Sequence, residues 1–523
     1  MARVLVTERI AQSGIEQLAA AGHDVDVREG LDPGQLLEAV KGAQALVIRS
    51  ATQVTADVLA AGSDLVVVGR AGIGLDNVDI EAATARGVMV VNAPESNVVS
   101  AAEQTMALLL AQARNIPQAH AALVAGRWER ARWEGVELYG KTLGIIGLGR
   151  IGSLVAQRAL AFGMRLAAYD PYVSPERARQ MGVELCSLTE LVARSDFLTI
   201  HAVKTPETVG LVGRELLAKA KPGLRVINVG RGGIVDEEAL AEAIRSGHVQ
   251  GAGLDVFAKE PTTESPLFGL PTVVVSPHLG ASTVEAQDKA GVTIAEQVVL
   301  ALAGDFVPHA VNVAARDVSE TVRPFLPLAE QLGRFFAGLH DGLPDRLEVE
   351  YQGELAGAGT GILTLSALKG LFASSTEVPV SYVNAPRLAE ERGLEVRESS
   401  TTTSRDYKSL ITLRSGRHAV AGTMAGAGVR VEPRVVMVDD HLVEVPPQPH
   451  MLLVRNDDRP GMIGAVGTAL GEAEVSISFM AVGPSREAPT ALMVLATDRP
   501  VPAAVLDRLL AHDGILDVHR ISL

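Results

Sequence analysis

Leu143-Gly144-Ile145-Ile146-Gly147-Leu148-Gly149-Arg150-Ile151-Gly152, followed by Arg165-Leu166-Ala167-Ala168-Tyr169-Asp170, is the stretch that decides how this chain folds. A short apolar run of strand character leads into G-x-G-x-x-G, and an amphipathic pattern opens directly behind it. Gly147 makes the tight turn, Gly149 lets backbone approach a pyrophosphate, and Gly152 lets the helix pack closely on the sheet. The helix N-terminus then points at the phosphates. The next strand ends in Asp170, about 20 residues on, where a carboxylate holds the ribose hydroxyls. The same charge repels a 2′-phosphate and selects NAD over NADP. The stretch reads as a dinucleotide-binding βαβ unit.

Outward from it the same alternation continues. Val4 to Thr7, Ala45 to Ile48, Leu65 to Val68 and Val88 to Val91 read as buried strands, with helical patterns at Ile10 to Ala21 and Gln35 to Lys41. Strands alternating with helices mean parallel sheets. A long helix from about Asn97 to Ala113 follows, with Asn97 or Ser100 as its cap. Another, Ser282 to Leu302, can cross back to the first unit. The α/β fold class is therefore two successive doubly wound, Rossmann-like units. At 523 residues the chain is too long for one core, and roughly 150 residues per domain suggests three or four.

Beyond Asn312 the texture changes. An amphipathic helix, Ser319 to Leu339, precedes mixed strands, a glycine-rich loop (Gly353 to Gly361) and a polar run (Ser399 to Ser404), an α+β pattern with no catalytic constellation. Pro446-Pro447-Gln448-Pro449 reads as a linker. The rest scans as βαββαβ, a ferredoxin-like module.

Composition narrows the function. Forty-seven basic residues against 62 acidic give a net charge of −15, which repels nucleic acid and anionic membranes. An anionic substrate therefore needs a local cluster of cations. Cys186 is the single cysteine, so neither an intrachain disulfide nor a multi-cysteine metal site is available, and no metal site is expected. Arg3, Glu8 and Arg9 interrupt any signal-peptide pattern, and no apolar run reaches the ~20 residues of a membrane span. The expectation is a cytoplasmic protein.

Three later strand ends carry reactive types. Val226 to Arg231 ends in a cation; Gly253-Leu254-Asp255-Val256-Phe257 leads to Glu260; Val273 to His278 ends in an imidazole before a Gly-Ala-Ser turn. Such loops lie at the carboxyl edge of an open parallel sheet, where ligands bind. Oxidation of a hydroxy acid needs a base for the hydroxyl proton and a cation for the carboxylate. His278 and Arg231 supply these, and a Glu beside the His favours its imidazolium form. Arg49, with Ser50, and Arg70 follow two earlier strands, so two guanidiniums can converge on one dianion.

Gly147 through Asp170, Asn228-Val229-Gly230-Arg231-Gly232-Gly233, Gly253 to Phe257 and Ser276-Pro277-His278-Leu279-Gly280 together resemble the D-isomer-specific 2-hydroxyacid dehydrogenases. The whole chain is similar to their long, phosphoglycerate-oxidising branch, which adds an intervening domain and a C-terminal ACT domain. The resemblance implies a substrate-binding domain from 1–96 plus 281–311, an NAD-binding domain at 97–280, an intervening domain at 312–448 and an ACT domain at 450–523. It implies oxidation of 3-phosphoglycerate to 3-phosphohydroxypyruvate with NAD, feeding serine synthesis. In that reading His278 is the acid/base, Glu260 its partner and Arg231 the carboxylate or carbonyl anchor. Arg150 and Ile151 lie under the pyrophosphate, Val229, Gly230 and Gly280 join the cofactor residues, and Asp255 lies near the nicotinamide carboxamide. Gly72, Ile73 and Gly74 meet the substrate carboxylate, with Asn97 beside them, while Arg49, Ser50 and Arg70 take the phosphate.

The resemblance further implies a homo-oligomer, a tetramer, in which the segment around Trp128 reaches a neighbouring subunit and Arg130 or Arg132 adds charge there. In the tail, Asn456 and Asp458 match a turn that binds an L-serine effector. Ser476 stands where regulated relatives place an Asn, which offers a shorter hydroxyl with one donor. Ala202 stands where many relatives carry Thr. Two rivals follow from the same fold. A dehydrogenase for glyoxylate, hydroxypyruvate or D-lactate needs no phosphate cluster and no regulatory tail. A nucleotide-sensing binding protein loses the His/Glu/Arg set.

Overall fold

The computed structural model describes residues 1–523 except 314–318, 341–342, 374–379, 405, 427–430 and 486–487. Four sheets organise it. The first holds five parallel strands in the spatial order Asp24–Val27, Arg3–Val6, Ala45–Ile48, Val67–Arg70 and Met89–Asn92. Its outermost strand, Asp24–Val27, escapes the apolar-run reading because alternating Asp and Val leave it half exposed at the sheet edge. Helix Val284–Ala303 returns to this sheet as expected. It lies close because glycines vacate the contacts: a Cβ on Gly69 would strike Ile294, and one on Gly14 would strike the Gly291 carbonyl.

The second sheet holds seven parallel strands in the order Glu184–Leu185, Arg165–Tyr169, Thr142–Ile146, Phe197–Ile200, Leu224–Asn228, Val249–Leu254 and Val273–Val275. Chain order reverses between Thr142–Ile146 and Phe197–Ile200. That switch point opens a crevice at the carboxyl ends of both strands. Helix Val98–Arg114 begins where expected, but Asn97 makes no side-chain capping bond, and Ser100 Oγ bonds Thr283 Oγ1 at 2.7 Å instead.

The third sheet is mixed: Glu395–Thr401 runs parallel to Arg346–Gly353, and four antiparallel strands continue from Ser409–Ser415 to His441–Val445. The amphipathic helix expected from Ser319 starts only at Leu326, after a short 3₁₀ turn over Arg323–Phe325. Pro324 and Pro327 explain the late start, because a proline ring is tolerated in a first turn and not inside a helix. The fourth sheet, ordered Ile477–Pro484, Ala491–Thr497, His450–Asn456 and Ile515–Ser522, is antiparallel and carries two helices, the βαββαβ arrangement read from the sequence.

Packing groups these sheets unequally. One continuous apolar core runs from Val4, Val47 and Val91 through Ile294, Phe325, Leu332 and Phe336 to Leu453, Val494 and Ile521. The seven-stranded sheet keeps separate cores on its two faces. At ~1.5–3 kcal/mol for each large side chain buried, the first, third and fourth sheets cohere as one body. The proline linker therefore joins packed modules: a Cβ on Gly338 would collide with Ile521 of the last strand. Among the described residues, no helix is long and apolar enough to cross a membrane.

Candidate active site

His278 lies just past strand Val273–Val275 in left-handed backbone, φ 55°, rare for a residue with a Cβ. What holds it there is Asp255, at the end of the neighbouring strand. The Asp255 main-chain oxygen accepts the His278 N–H at 2.8 Å. Its carboxylate accepts Ser276 Oγ–H at 2.6 Å and the N–H groups of Leu279 and Gly280 at 2.8 and 2.7 Å. Asp255 is fully buried. The family resemblance implies a place near the nicotinamide carboxamide; in the structure the carboxylate turns into the loop that carries His278. Gln104 donates to Ser276 Oγ at 3.0 Å and extends the support into helix Val98–Arg114.

Glu260 meets the ring directly, its Oε2 lying 2.5 Å from His278 Nδ1. Its Oε1 accepts the Phe257 N–H at 2.8 Å. Burial pushes the Glu260 carboxyl up, but the His278 contact, the Phe257 N–H and the charges of His278 and Arg231 outweigh it and hold the group below the usual carboxylate range. Fixed at Nδ1, the ring leaves Nε2 as the nitrogen that can exchange a proton with a ligand.

Arg231 bridges the two parallel-sheet units. From the seven-stranded sheet it reaches Asp76 of the first unit, Nε to Oδ2 at 3.4 Å, and its guanidinium occupies the space a Cβ on Gly74 would need. Arg70 does the same over Gly72, whose φ of 155° further excludes a side chain. The Gly72-Ile73-Gly74 segment therefore seats two guanidiniums. Burial and the positive charges of Arg231 and Arg49 lower Arg70 to about 10, against the opposing pull of Asp76 and Glu8. Arg49 lines a cleft with Arg9, Gly72, Ser96, Asn97 and Ala281. Asn97 Oδ1 is buried there without a hydrogen-bond partner, and Ser50 is exposed beside Arg49. The sequence reading missed Asp76 and Gln104, since nothing local marks an acid or amide that acts on a distant loop.

The glycine turn fits a dinucleotide. A Cβ on Gly152 would run into the Gly147 carbonyl, so the helix can approach only without one, while Gly149 faces open space. Helix Arg150–Ala161 has no side-chain cap, which leaves its first-turn N–H groups available for phosphates. Asp170 accepts the Leu148 and Tyr172 N–H groups at 2.7 and 2.8 Å, which fixes it at the end of its strand. The Arg150 side chain turns away from the expected pyrophosphate, toward the Pro94 oxygen at 3.3 Å and Glu95 at 3.4 Å. Val229 and the Asp255 carboxylate flank Gly280. Ala202 follows the switch-point strand, its N–H against Gly147.

In the last module Asn456 Oδ1 accepts the Asp458 N–H at 3.0 Å, and Asp458 has φ 56°. Asn456 Nδ2 is buried and unpartnered. Ser476, exposed, is tied through its N–H to Asp498 at 2.8 Å. Trp128 is 82% exposed and fills no interdomain seam among the described residues of the chain. Arg132 lies over the Trp133 ring, 5.0 Å from its centroid.

Residues 106–280 match the model of the D-isomer specific 2-hydroxyacid dehydrogenase NAD-binding domain. Residues 321–439 match the D-3-phosphoglycerate dehydrogenase intervening domain, and 450–514 the ACT domain. The chain is 50% identical over 97% of its length to the D-3-phosphoglycerate dehydrogenase of Mycobacterium leprae, covering 97% of that protein. The chain belongs to the D-3-phosphoglycerate dehydrogenase family. The family member from Synechocystis is 44% identical over all of this chain and 95% of its own. Among solved structures, the TT0316 protein of Thermus thermophilus superposes with a TM-score of 0.56 at 37% identity, over 59% of this chain and 99% of that one. The D-lactate dehydrogenase of Aquifex aeolicus, complexed with NAD and lactic acid, gives 0.52 at 26% identity over 58% and 96%. The family thus combines an NAD-binding domain, an intervening domain and an ACT domain in one chain.

Proposed function

We propose that this protein oxidises D-3-phosphoglycerate to 3-phosphohydroxypyruvate with NAD, the reaction that opens phosphorylated L-serine synthesis. The observation that carries the reading is the His278–Glu260 pair at 2.5 Å with Arg231 charging the same crevice. His278 Nε2 takes the proton of the substrate 2-hydroxyl, and Glu260 steadies the imidazolium formed on Nδ1. Arg231 neutralises the carboxylate and polarises the developing carbonyl oxygen. The Gly72-Ile73-Gly74 backbone receives the carboxylate beside Asn97, and Arg49, Ser50 and Arg70 receive the phosphate. NAD, when bound, supplies the hydride acceptor. Gly147, Gly149, Gly152 and the backbone of Arg150 and Ile151 hold its pyrophosphate, Asp170 its ribose, and Val229, Gly230 and Gly280 border the reactive end. Asp255 serves that end through the His278 loop.

The ACT domain takes an amino-acid effector, L-serine, at Asn456, Asp458 and Ser476, and four chains assemble into a tetramer in the cytoplasm, where a single thiol stays reduced. Reduction of NAD, followed by NADH fluorescence on adding 3-phosphoglycerate, with D-lactate and glycolate (the reduced partner of glyoxylate) as controls, tests the reading. Turnover confined to D-lactate or glycolate, or none at all, overturns it.

A further inference from the structure

Arg49 and Ser50 sit in a four-residue loop, Arg49 to Thr52, that follows strand Ala45–Ile48. One side chain gathers that loop from beneath. Glu8, just past the end of strand Arg3–Val6, accepts the N–H groups of Arg49 and Thr52 on Oε1 at 2.8 and 2.9 Å, and that of Ala51 on Oε2 at 3.1 Å. The Ser50 N–H is the loop amide that does not go to Glu8. From the other side Asn77 Nδ2 donates to the Arg49 and Thr52 carbonyls at 2.8 and 2.6 Å, and Thr7 Oγ1 meets Thr52 Oγ1 at 2.8 Å. Glu8 is half buried. Burial pushes its carboxyl up, but the three amides outweigh that and hold it ionised below the usual carboxylate range. Its charge also pulls on Arg70, whose guanidinium sits over Gly72 of the same cleft.

We propose that Glu8 is a positioning residue for the phosphate end of the substrate. Its carboxylate clamps loop 49–52 so that Arg49 is held at the cleft with Ser50 exposed beside it. Its charge steadies a set of cations that otherwise repel one another before an anion arrives. The inference rests on the reading of Arg49 and Ser50 as phosphate contacts. Glu8 touches no substrate atom in this arrangement, so it acts on affinity for the phosphorylated substrate and not on the hydride step.

The test uses the full-length enzyme and two variants. Glu8→Gln turns one acceptor into a donor that faces the Ala51 N–H; Glu8→Asp keeps the charge and withdraws it by one methylene. Charge-assisted hydrogen bonds of this kind make a ~10-fold rise in KM for 3-phosphoglycerate the expectation for Glu8→Gln, and a ~3-fold rise for Glu8→Asp. The KM for D-glycerate, kcat and NADH affinity should stay within about two-fold of wild type, since uniform binding is what is lost. A merely structural role would move all four quantities together, and that result overturns the proposal, as does an unchanged KM for 3-phosphoglycerate in both variants. If Glu8→Gln does not fold, Glu8→Asp decides by the same readings. A wild type that binds D-glycerate as well as 3-phosphoglycerate overturns instead the underlying assignment of the phosphate contacts, and Glu8's role with it.

Discussion

The turn that carries His278 and the turn that carries Asp458 both hold a polar residue in left-handed backbone, φ 55° and 56°, yet they are supported differently. Beneath His278 the buried Asp255 carboxylate accepts four donors, from Gln104, Ser276, Leu279 and Gly280, and its main-chain oxygen accepts a fifth. Beneath Asp458 a single side chain, Asn456, accepts one N–H and leaves its own Nδ2 buried without a partner. The first turn is satisfied before any ligand arrives, as a pre-organised catalytic group requires. The second holds a donor that a ligand or a paired chain can satisfy. The lesson is that a strained backbone conformation alone does not tell a rigid site from a responsive one; the hydrogen bonds underneath do.

Removing the group that the rigid turn presents should give the largest effect. His278→Ala is expected to lower kcat by about 10²–10⁴ while NAD binding persists, because the base acts on the hydroxyl proton and not on the dinucleotide. Stopped-flow turnover with a fluorescence titration of NADH checks both halves. Retained turnover would remove His278 from the chemistry.

Loosening the support beneath His278 should come next. Asp255→Asn keeps the shape but sets an amide donor against the Leu279 or Gly280 N–H, at a cost of about 1.5–3 kcal/mol for a lost hydrogen bond to a charged group. Thermal unfolding should show the loss, and kcat should fall with it. Unchanged kcat in a destabilised protein would mean that the loop finds its geometry without this carboxylate.

A smaller effect follows from Glu260. Its carboxyl titrates below the usual range in the folded protein, so the stability it contributes is complete above the unfolded value, about pH 4.3, and is lost as pH falls through the folded one. Wild type and Glu260→Gln should therefore converge in stability only once the pH has fallen below the lowered folded value. The pair is partly exposed, and a difference under about 1 kcal/mol at neutral pH is expected. Chemical denaturation across that range measures it; curves that stay parallel into acid would contradict the coupling.

On turnover, the responsive turn should give the least. Asp458→Ala is expected to leave kcat and KM unchanged and to remove any inhibition by millimolar L-serine. Removing the whole module is a poorer test, since it would uncover the apolar core that Leu453, Val494 and Ile521 share with the intervening domain. A basal rate that falls with Asp458→Ala would place this turn in the catalytic unit and erase the contrast.

The sequence by itself determined the residue types at strand ends. G-x-G-x-x-G with Asp170, the His278, Glu260 and Arg231 loops, and the βαββαβ order of the last module are all legible because each is a local pattern tied to one strand or one turn. The tertiary structure alone decided where those side chains aim. Asp255 turns into the His278 loop because Ser276, Leu279 and Gly280, more than 20 residues later in the chain, present their donors there. The Arg150 side chain goes to Pro94 and Glu95 of the adjoining unit, Arg231 reaches across the crevice to Asp76, and Glu8 clamps a loop 41 to 44 residues away. The linker at Pro446 marks a true break in regular structure, yet only packing reveals that the modules on either side share a core. Periodicity and turn chemistry are written in neighbouring residues, whereas a side chain's direction is set by whichever donor, charge or apolar surface the fold brings against it from far along the chain.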